Sequence, residues 1–344
     1  MRGLKAYLFS FIVFSISFLL INCKKNDQIL KSEPDKLHTS ISKKLVKSPD
    51  NLTTTALGRT LVSDAYDASG RIEIKIWKGY VDGEHNFAEV SVDPDFVCIG
   101  GGAKITDFNN STANNNALLT SSQWGGDGLY DSWVANSQDQ LITWSHRVWV
   151  YAIGIKMYAS TGLPLAPAYL KTFLYMSSGT GNYGSSPQAS VYPPAGYLVL
   201  SGGAYDAPSS PGNMLTKNMW NGDHWEVWGK DHQQYSPSYT VSYILSISNS
   251  IPEMGPLATF SRIGHINTNN HQMTLTSSLN DPLTNNTGYV LTGIGAWSDW
   301  SGQGRMLNMM YPEDAFTITV GSKDHVVNDL TGGIYSYATG IKKL

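Results

Sequence analysis

The chain has 344 residues, with 24 basic against 27 acidic side chains and a formal net charge of −3; 41% of its residues are hydrophobic. No basic segment is concentrated enough for an electrostatically driven nucleic-acid binder, so that class is set aside. With only two cysteines, at 23 and 98, a disulfide-built scaffold is excluded as well.

In chain order, Arg2 and Lys5 precede an apolar run from Ala6 to Ile21, which ends at Leu20-Ile21-Asn22-Cys23. This pattern predicts a signal peptide over 1–22 rather than a spanning helix. The cysteine directly after the apolar run resembles a bacterial lipobox. Asn22, in place of the usual small residue, is similar to the relaxed lipoboxes of spirochaete lipoproteins. The resemblance implies cleavage before Cys23, acylation of Cys23, and a lipid-anchored position at the bacterial outer membrane or cell surface. An ordinary signal peptide with an incidental cysteine is the alternative. Cleavage removes Arg2 and Lys5 and leaves 22 basic against 27 acidic residues, a charge of −5. Lys24 to Thr60 has no Phe, Trp or Tyr and reads as a polar tether, so 23–60 is lipidated cysteine plus tether. An all-β body is expected over 61–344.

Within that body the sequence repeats. Phe96–Ala103, Tyr197–Ala204 and Tyr289–Ala296 are three versions of an aromatic-apolar run ending in a Gly-Ala step. Ala117–Trp124 matches Asn213–Trp220, and Met214-Leu215 matches Met306-Leu307. Gly229-Lys230-Asp231-His232 returns as Ser322-Lys323-Asp324-His325, and Asp139 holds the aspartate position in the first copy. Tyr151–Ile155, Tyr243–Ile247 and Tyr337–Ile341 close the three copies. Repeats are placed at 71–160, 168–250 and 256–344, about 85 residues each.

The repeats are predicted to be strands. Arg71–Trp77 alternates so that Ile72, Ile74 and Ile76 share a face, Phe316–Val320 alternates likewise, and no long segment shows a helical stripe. Turn-rich clusters such as Ser177–Pro187 and Asn109–Asn116 separate the runs, the latter read as a surface insertion of copy one. The glycine of each Gly-Ala step admits a bulge, a positive φ or a close approach of a neighbouring chain. Three equivalent close approaches predict a pseudo-threefold β-prism-like arrangement, with three small β-sandwich modules as the alternative. The three-repeat architecture is similar to that of β-prism lectins and vitelline-outer-layer-type proteins. The resemblance covers architecture only and implies no binding residue.

Candidate ligand-binding residues are Asp231, His232, Asp324, His325 and Asp139, with Trp228 and Trp300 offering flat faces for sugar rings, as do Trp225 and Trp297. The plainer reading of the aspartates is a turn residue bonding its own backbone two residues on. Gly125-Gly126-Asp127-Gly128 with Asp131 makes Ca²⁺ a weak possibility and a Gly-rich loop the plainer one. Cys98 aligns with Val199 and Leu291 and reads as a small core hydrophobe. No nucleophile elbow, zinc-protease, P-loop or dinucleotide motif is present, and no catalytic residue is assigned. The sequence therefore points to a non-enzymatic, lipid-anchored binding protein whose partners are the membrane, through Cys23, and a glycan or an extracellular protein. The alternatives are an envelope hydrolase using carboxylates such as Asp223, Glu226 and Asp231, or a purely structural envelope protein.

Overall fold

A computed structural model describes residues 57–112, 117–125, 130–139, 143–207, 213–231, 234–268, 270, 272–280, 283, 286–300, 304–324 and 332–344. Strand β1 (Leu57–Tyr66) opens it, so strand structure starts inside the stretch read as tether. Copy one follows as β2 (Ile72–Gly83), β3 (Phe87–Ser91), β4 (Val97–Thr106), β5 (Leu118–Gly125), β6 (Ser132–Gln138) and β7 (His146–Met157). A short helix, α1 (Pro167–Lys171), leads into copy two: β8 (Leu174–Thr180), β9 (Gln188–Val191), β10 (Tyr197–Asp206), β11 (Asn213–Trp220), β12 (Trp225–Asp231) and β13 (Thr240–Ser248). After β14 (Ser250–Ile251), copy three supplies β15 (Gly255–Thr268), β16 (Gln272–Ser278), β17 (Val290–Asp299), β18 (Met306–Pro312), β19 (Thr317–Lys323) and β20 (Gly332–Lys343). The alternation works as expected: Ile72, Ile74 and Ile76 are fully buried, as are Ile318 and Val320.

The protein is all-β. Its strands form three antiparallel sheets: sheet I in the order β1-β2-β7-β4-β18-β19-β16, sheet II β3-β6-β5-β10-β13-β8, and sheet III β14-β15-β20-β17-β11-β12-β9. No sheet belongs to one copy. In each, the first, sixth and third strands of one copy lie beside the fourth, fifth and second strands of the copy before it. Copy one completes its sheet with copy three, so the exchange closes on itself. Three separate sandwiches are thereby ruled out.

The Gly-Ala steps sit at the seams of this exchange. Ala103 pairs with Met310, Ala204 with Ser122, and Ala296 with Asn218, each across two copies. Just before each step the register slips by one residue, between Cys98 and Gly100, Val199 and Ser201, and Leu291 and Gly293. These are three equivalent bulges, and none of the step glycines has a positive φ. The bulges fall before the step glycines, whose own use is close approach: a Cβ on Gly102 would come under 3.0 Å from the Met310 carbonyl, and one on Gly295 under 3.0 Å from the Asn218 carbonyl. A Cβ on Gly100 would come under 3.0 Å from the Thr292 carbonyl, and one on Gly293 under 3.0 Å from the Leu200 carbonyl. The Ser201 hydroxyl donates to the Ile99 carbonyl, and the Thr292 hydroxyl donates to the Leu200 carbonyl at 2.8 Å. The three copies therefore touch backbone to backbone at the centre, where side chains of ordinary size have no room.

A single apolar core runs through all three copies, and Cys98 is wholly buried in it, its thiol pushed up by burial. At one end a separate trio, Leu118, Met214 and Met306, brings together the same position from each copy.

Candidate functional site

The three repeated aspartates lie beside that trio, where the fifth strand of each copy ends. Asp139 and Asp324 are each 2% exposed. The Asp139 carboxylate accepts the Trp144 backbone N–H at 2.9 Å, and Asp231 accepts that of Ser236 at 2.9 Å. Both bonds run five residues on, not two. In copies one and two the carboxylate thus ties the end of the fifth strand to the chain that leads into the sixth, instead of curling into a local turn. A structural cause is thus enough for the aspartate to recur. His232, His325, Asp127 and Cys23 lie outside the described residues.

The second oxygen of each carboxylate has a different neighbour in each copy. In copy three, Arg305 Nε lies 3.5 Å from Asp324, with both residues 2% exposed. In copy one, His146 and Lys323 are the buried groups near Asp139. His146 donates from Nδ1 to the Trp144 carbonyl at 2.7 Å and accepts at Nε2 from Ser137 at 2.6 Å, an assignment that suits a neutral ring. Burial lowers the His146 pKa accordingly, so its 3.8 Å approach to Asp139 is not an ion pair. Burial also lowers the Lys323 ammonium to about 7, with the Asp139 charge acting in the other direction.

Lys323 therefore tilts stability with pH. Its folded pKa lies below its unfolded value, so the unfolded chain binds the extra proton between pH 7 and 10 and the penalty relaxes as pH rises. Measured by urea unfolding at pH 7, 8 and 9, the wild type should gain on Lys323→Met by about 1 kcal/mol over the first pH unit, the slope rising towards about 1.4 kcal/mol per unit over the second. A constant difference across that range would show that Lys323 is not titrating there.

The tryptophans lie elsewhere. Trp225 is 0% exposed and packs in the core, so it offers no face to a ligand, contrary to expectation. Trp228 stands three residues before Asp231 on β12, and the period of two puts these residues on opposite faces. The candidate set thus divides into aspartates at an inner end and Trp228 on the outer face of sheet III. Trp300, just beyond β17, lies under Lys230, whose Nζ is 3.9 Å from the ring centroid.

On that outer face one row of residues crosses the sheet in direct register: His265, Tyr335, Trp297, Lys217, Trp228 and Gln188. His265 and Tyr335 stack at 4.0 Å and 18°, and Tyr335 and Trp297 at 4.6 Å and 15°. Trp228 meets Trp297 edge-on at 6.0 Å. Lys217 Nζ lies between them, 4.5 Å from one centroid and 4.7 Å from the other, while donating to Glu226. Glu226 also receives His224 at 3.0 Å, and His224 is bonded to Asp223 and lies against the exposed Tyr192. Burial opposes ionisation of Glu226, but Lys217 and His224 together hold its pKa below the usual range. The equivalent row is Tyr80, Trp149, Lys104, Met309, Gly321 and Thr274 in sheet I, and Thr180, Val241, Tyr205, Ser121, Asn136 and Phe87 in sheet II. Sheet I has one ring pair in its row, Tyr80 tilted against Trp149 at 4.9 Å with Arg147 over it, and neither sheet lines up three stacked rings. Sequence reasoning singled out Trp228 and Trp297 but missed Tyr335, Lys217 and His265, because two copies must be interleaved before they become neighbours.

Two other features of the described residues carry polar groups. An open groove of about 400 Å³ is lined by Tyr66, Ser69, Gly70, Arg71 and Tyr158, but Arg71 is bonded to the Ala159 carbonyl and Tyr158 to Glu73. Asp206, 1% exposed, has its carboxyl raised to about 8 by burial, with the nearby Asp231 charge adding to the shift. Comparison of the sequence with protein-family models found no match. No curated protein matches it either.

Proposed function

We propose that this chain is a lipid-anchored binding protein, held by Cys23, and that the outer face of sheet III recognises an extended ligand, a glycan first and a protein segment second. The observation that carries this reading is the stacked row. The fold needs its three sheets to be alike in backbone, and it builds sheets I and II without that row. Chemistry present on only one of three equivalent faces is not required by folding. The row crosses six strands spaced about 4.8 Å apart, a length suited to a chain lying across the sheet. Its rings carry indole N–H, phenol O–H and imidazole groups, which are hydrogen-bonding partners for hydroxyls and carbonyls.

The hydrolase reading is less well supported. A glycosidase acid must hold a proton near neutral pH, and Glu226 is biased towards the ionised form. Asp206 does hold a proton more readily and lies near Asp231, but it is sealed in the interior, out of reach of a polymer. Among the described residues no helix is long and apolar enough to cross a membrane, so the proposed anchor rests on Cys23.

A glycan and matrix-protein array probed with soluble residues 24–344 tests the proposal. Binding that competes with free ligand is expected, and Trp297→Ala should weaken it by about 10-fold or more, as for a central aromatic contact. Tyr205→Ala, at the equivalent place in sheet II, should leave it unchanged. Equal loss in both variants, or no binding by folded protein, would overturn the assignment of sheet III.

A further inference from the structure

Strand β15, with 14 residues, is the longest of the described strands. One of its edges pairs with β20 from Leu257 to Thr268 without a slip in register. On the other edge β14 takes Gly255 and Pro256, and the Leu257 N–H donates to the Asn249 carbonyl at 2.9 Å. Among the described residues nothing pairs with that edge over 258–268. Backbone groups alternate in direction along a strand, so the Leu257 bond fixes which of them face outward. They are the N–H and C=O groups of Thr259, Ser261, Ile263, His265 and Asn267.

An exposed edge is normally kept from pairing by shortness, charge, proline or a bulge. The other edge strands follow that rule: β3, β8, β9 and β16 have seven residues or fewer, and β1 carries Arg59 and Asp64. The proline of β15 lies against β14, its one full charge is Arg262, and it leaves Ile263 59% and Ile266 37% exposed.

The geometry points to a second copy of this chain as the occupant, its β15 added antiparallel to the first about a twofold axis at Ile263. Ile263 is the midpoint of 258–268, so the end of β14 on one side and the end of β15 on the other set the register. Ile263 then meets Ile263 of the second copy, Ser261 meets its His265, and Thr259 meets its Asn267. These are all hydrogen-bonded pairs, so every outward N–H finds a carbonyl. On the opposite side of the ladder Phe260 meets Ile266, and Arg262 meets Gly264, which leaves it room. Apolar faces apolar and small polar faces polar, a match that a foreign strand would share only by chance. Eleven residues at about 3.4 Å make an edge about 37 Å long, and with a layer about 10 Å deep the pair buries at least about 700 Å², the size of a weak, reversible dimer. The one like-charge approach sets Arg262 diagonally from its copy, and salt screens it. Pairing joins two seven-stranded sheets into one continuous sheet III. Of the stacked row it engages only His265, so its test is separate from that of ligand binding.

The test uses the full-length chain in detergent, with micelles in excess over protein, under mild oxidation. Ile263→Cys should cross-link to a dimer, because the axis places the two Cα atoms about 5.5 Å apart, within disulfide reach. Ser261→Cys should cross-link at least about 10-fold more slowly, since its two Cα atoms would be about 14 Å apart. The wild type, with Cys23 and Cys98, sets the background. Sedimentation of the wild type from about 1 to 100 μM should show a monomer–dimer equilibrium. Ile263→Lys, which sets two ammonium groups at the axis, should shift it at least about 10-fold towards monomer without lowering the Tm of the monomer. A wild type that stays monomeric throughout, or folded Ile263→Cys and Ser261→Cys cross-linking at equal rates, would overturn the pairing.

Discussion

Gly202→Ala is expected to destabilise the protein by about 3 kcal/mol, the upper part of the range for an overpacked core. A Cβ there would lie under 3.0 Å from the Trp225 ring, which is wholly buried and has no exit. Gly101 has the same relation to Trp133 in copy one. Each indole N–H has a partner one strand away: Trp133 donates to Ser122 at 2.9 Å, and Trp225 to Asn218 Oδ1 at 2.6 Å. Copy three solves the same space otherwise, with Ile294, Ile318 and Met310 at the equivalent positions, all buried. Large ring, glycine and acceptor thus travel as a set, and two medium side chains with an apolar neighbour replace the set as a whole. Trp225→Ile alone should cost about 3 kcal/mol, through the cavity and the stranded Asn218 oxygen. The triple variant Gly202→Ile, Asn218→Met, Trp225→Ile should be at least about 2 kcal/mol more stable than the sum of its single changes. Urea unfolding measures all four. Simple additivity would mean that the three positions do not form one packing unit.

A fragment ending at Ser248 is expected to lose essentially all its stability, about 10 kcal/mol for a domain of ordinary stability. It keeps every strand of copies one and two. Sheet I nevertheless loses β18, β19 and β16, and sheet III is left with β11, β12 and β9. The seams at Ala103 and Ala296 open, and the core cluster loses one of its three walls. Circular dichroism with urea titration should show no cooperative transition for the fragment and a single one for the whole chain. A fragment that unfolds cooperatively, with native-like strand content, would mean that the copies are independent modules.

Much of this architecture is legible in the sequence. The four features that recur in every copy, the aromatic-apolar run, its Gly-Ala step, the aspartate and the Tyr-led run, fall on the third strand, the end of the fifth and the sixth strand of each copy. They recur because they meet at the seams, the plugged end and the core, where one geometry imposes one set of side chains. The second strand of each copy, β3, β9 or β16, lies at a sheet edge, and its sequence diverged beyond recognition because fewer neighbours constrain it. The exchange of strands between copies left no signal of its own, since a strand carries the same alternation whichever neighbour it bonds. Hence Trp228 on β12 and Trp297 on β17 were both visible, but their meeting across Lys217 on β11 was not. For the same reason Asp206 attracted no attention: it is an ordinary polar residue until folding buries it near Asp231.

Because copy one bonds to copy three as it does to copy two, the molecule has no first or last unit. Linear repeat proteins need special end caps and can lengthen by adding units. Here a fourth unit would find every seam taken, so the count of three is enforced by geometry. The start of copy one and the end of copy three also come together, the Lys343 backbone N–H donating to Asp67 at 2.9 Å. Where the polypeptide is cut is therefore a matter of genetic order rather than of structure. With the backbone role shared equally among three units, each outward face was free to acquire a chemistry of its own, and only sheet III lines up three stacked rings in one row.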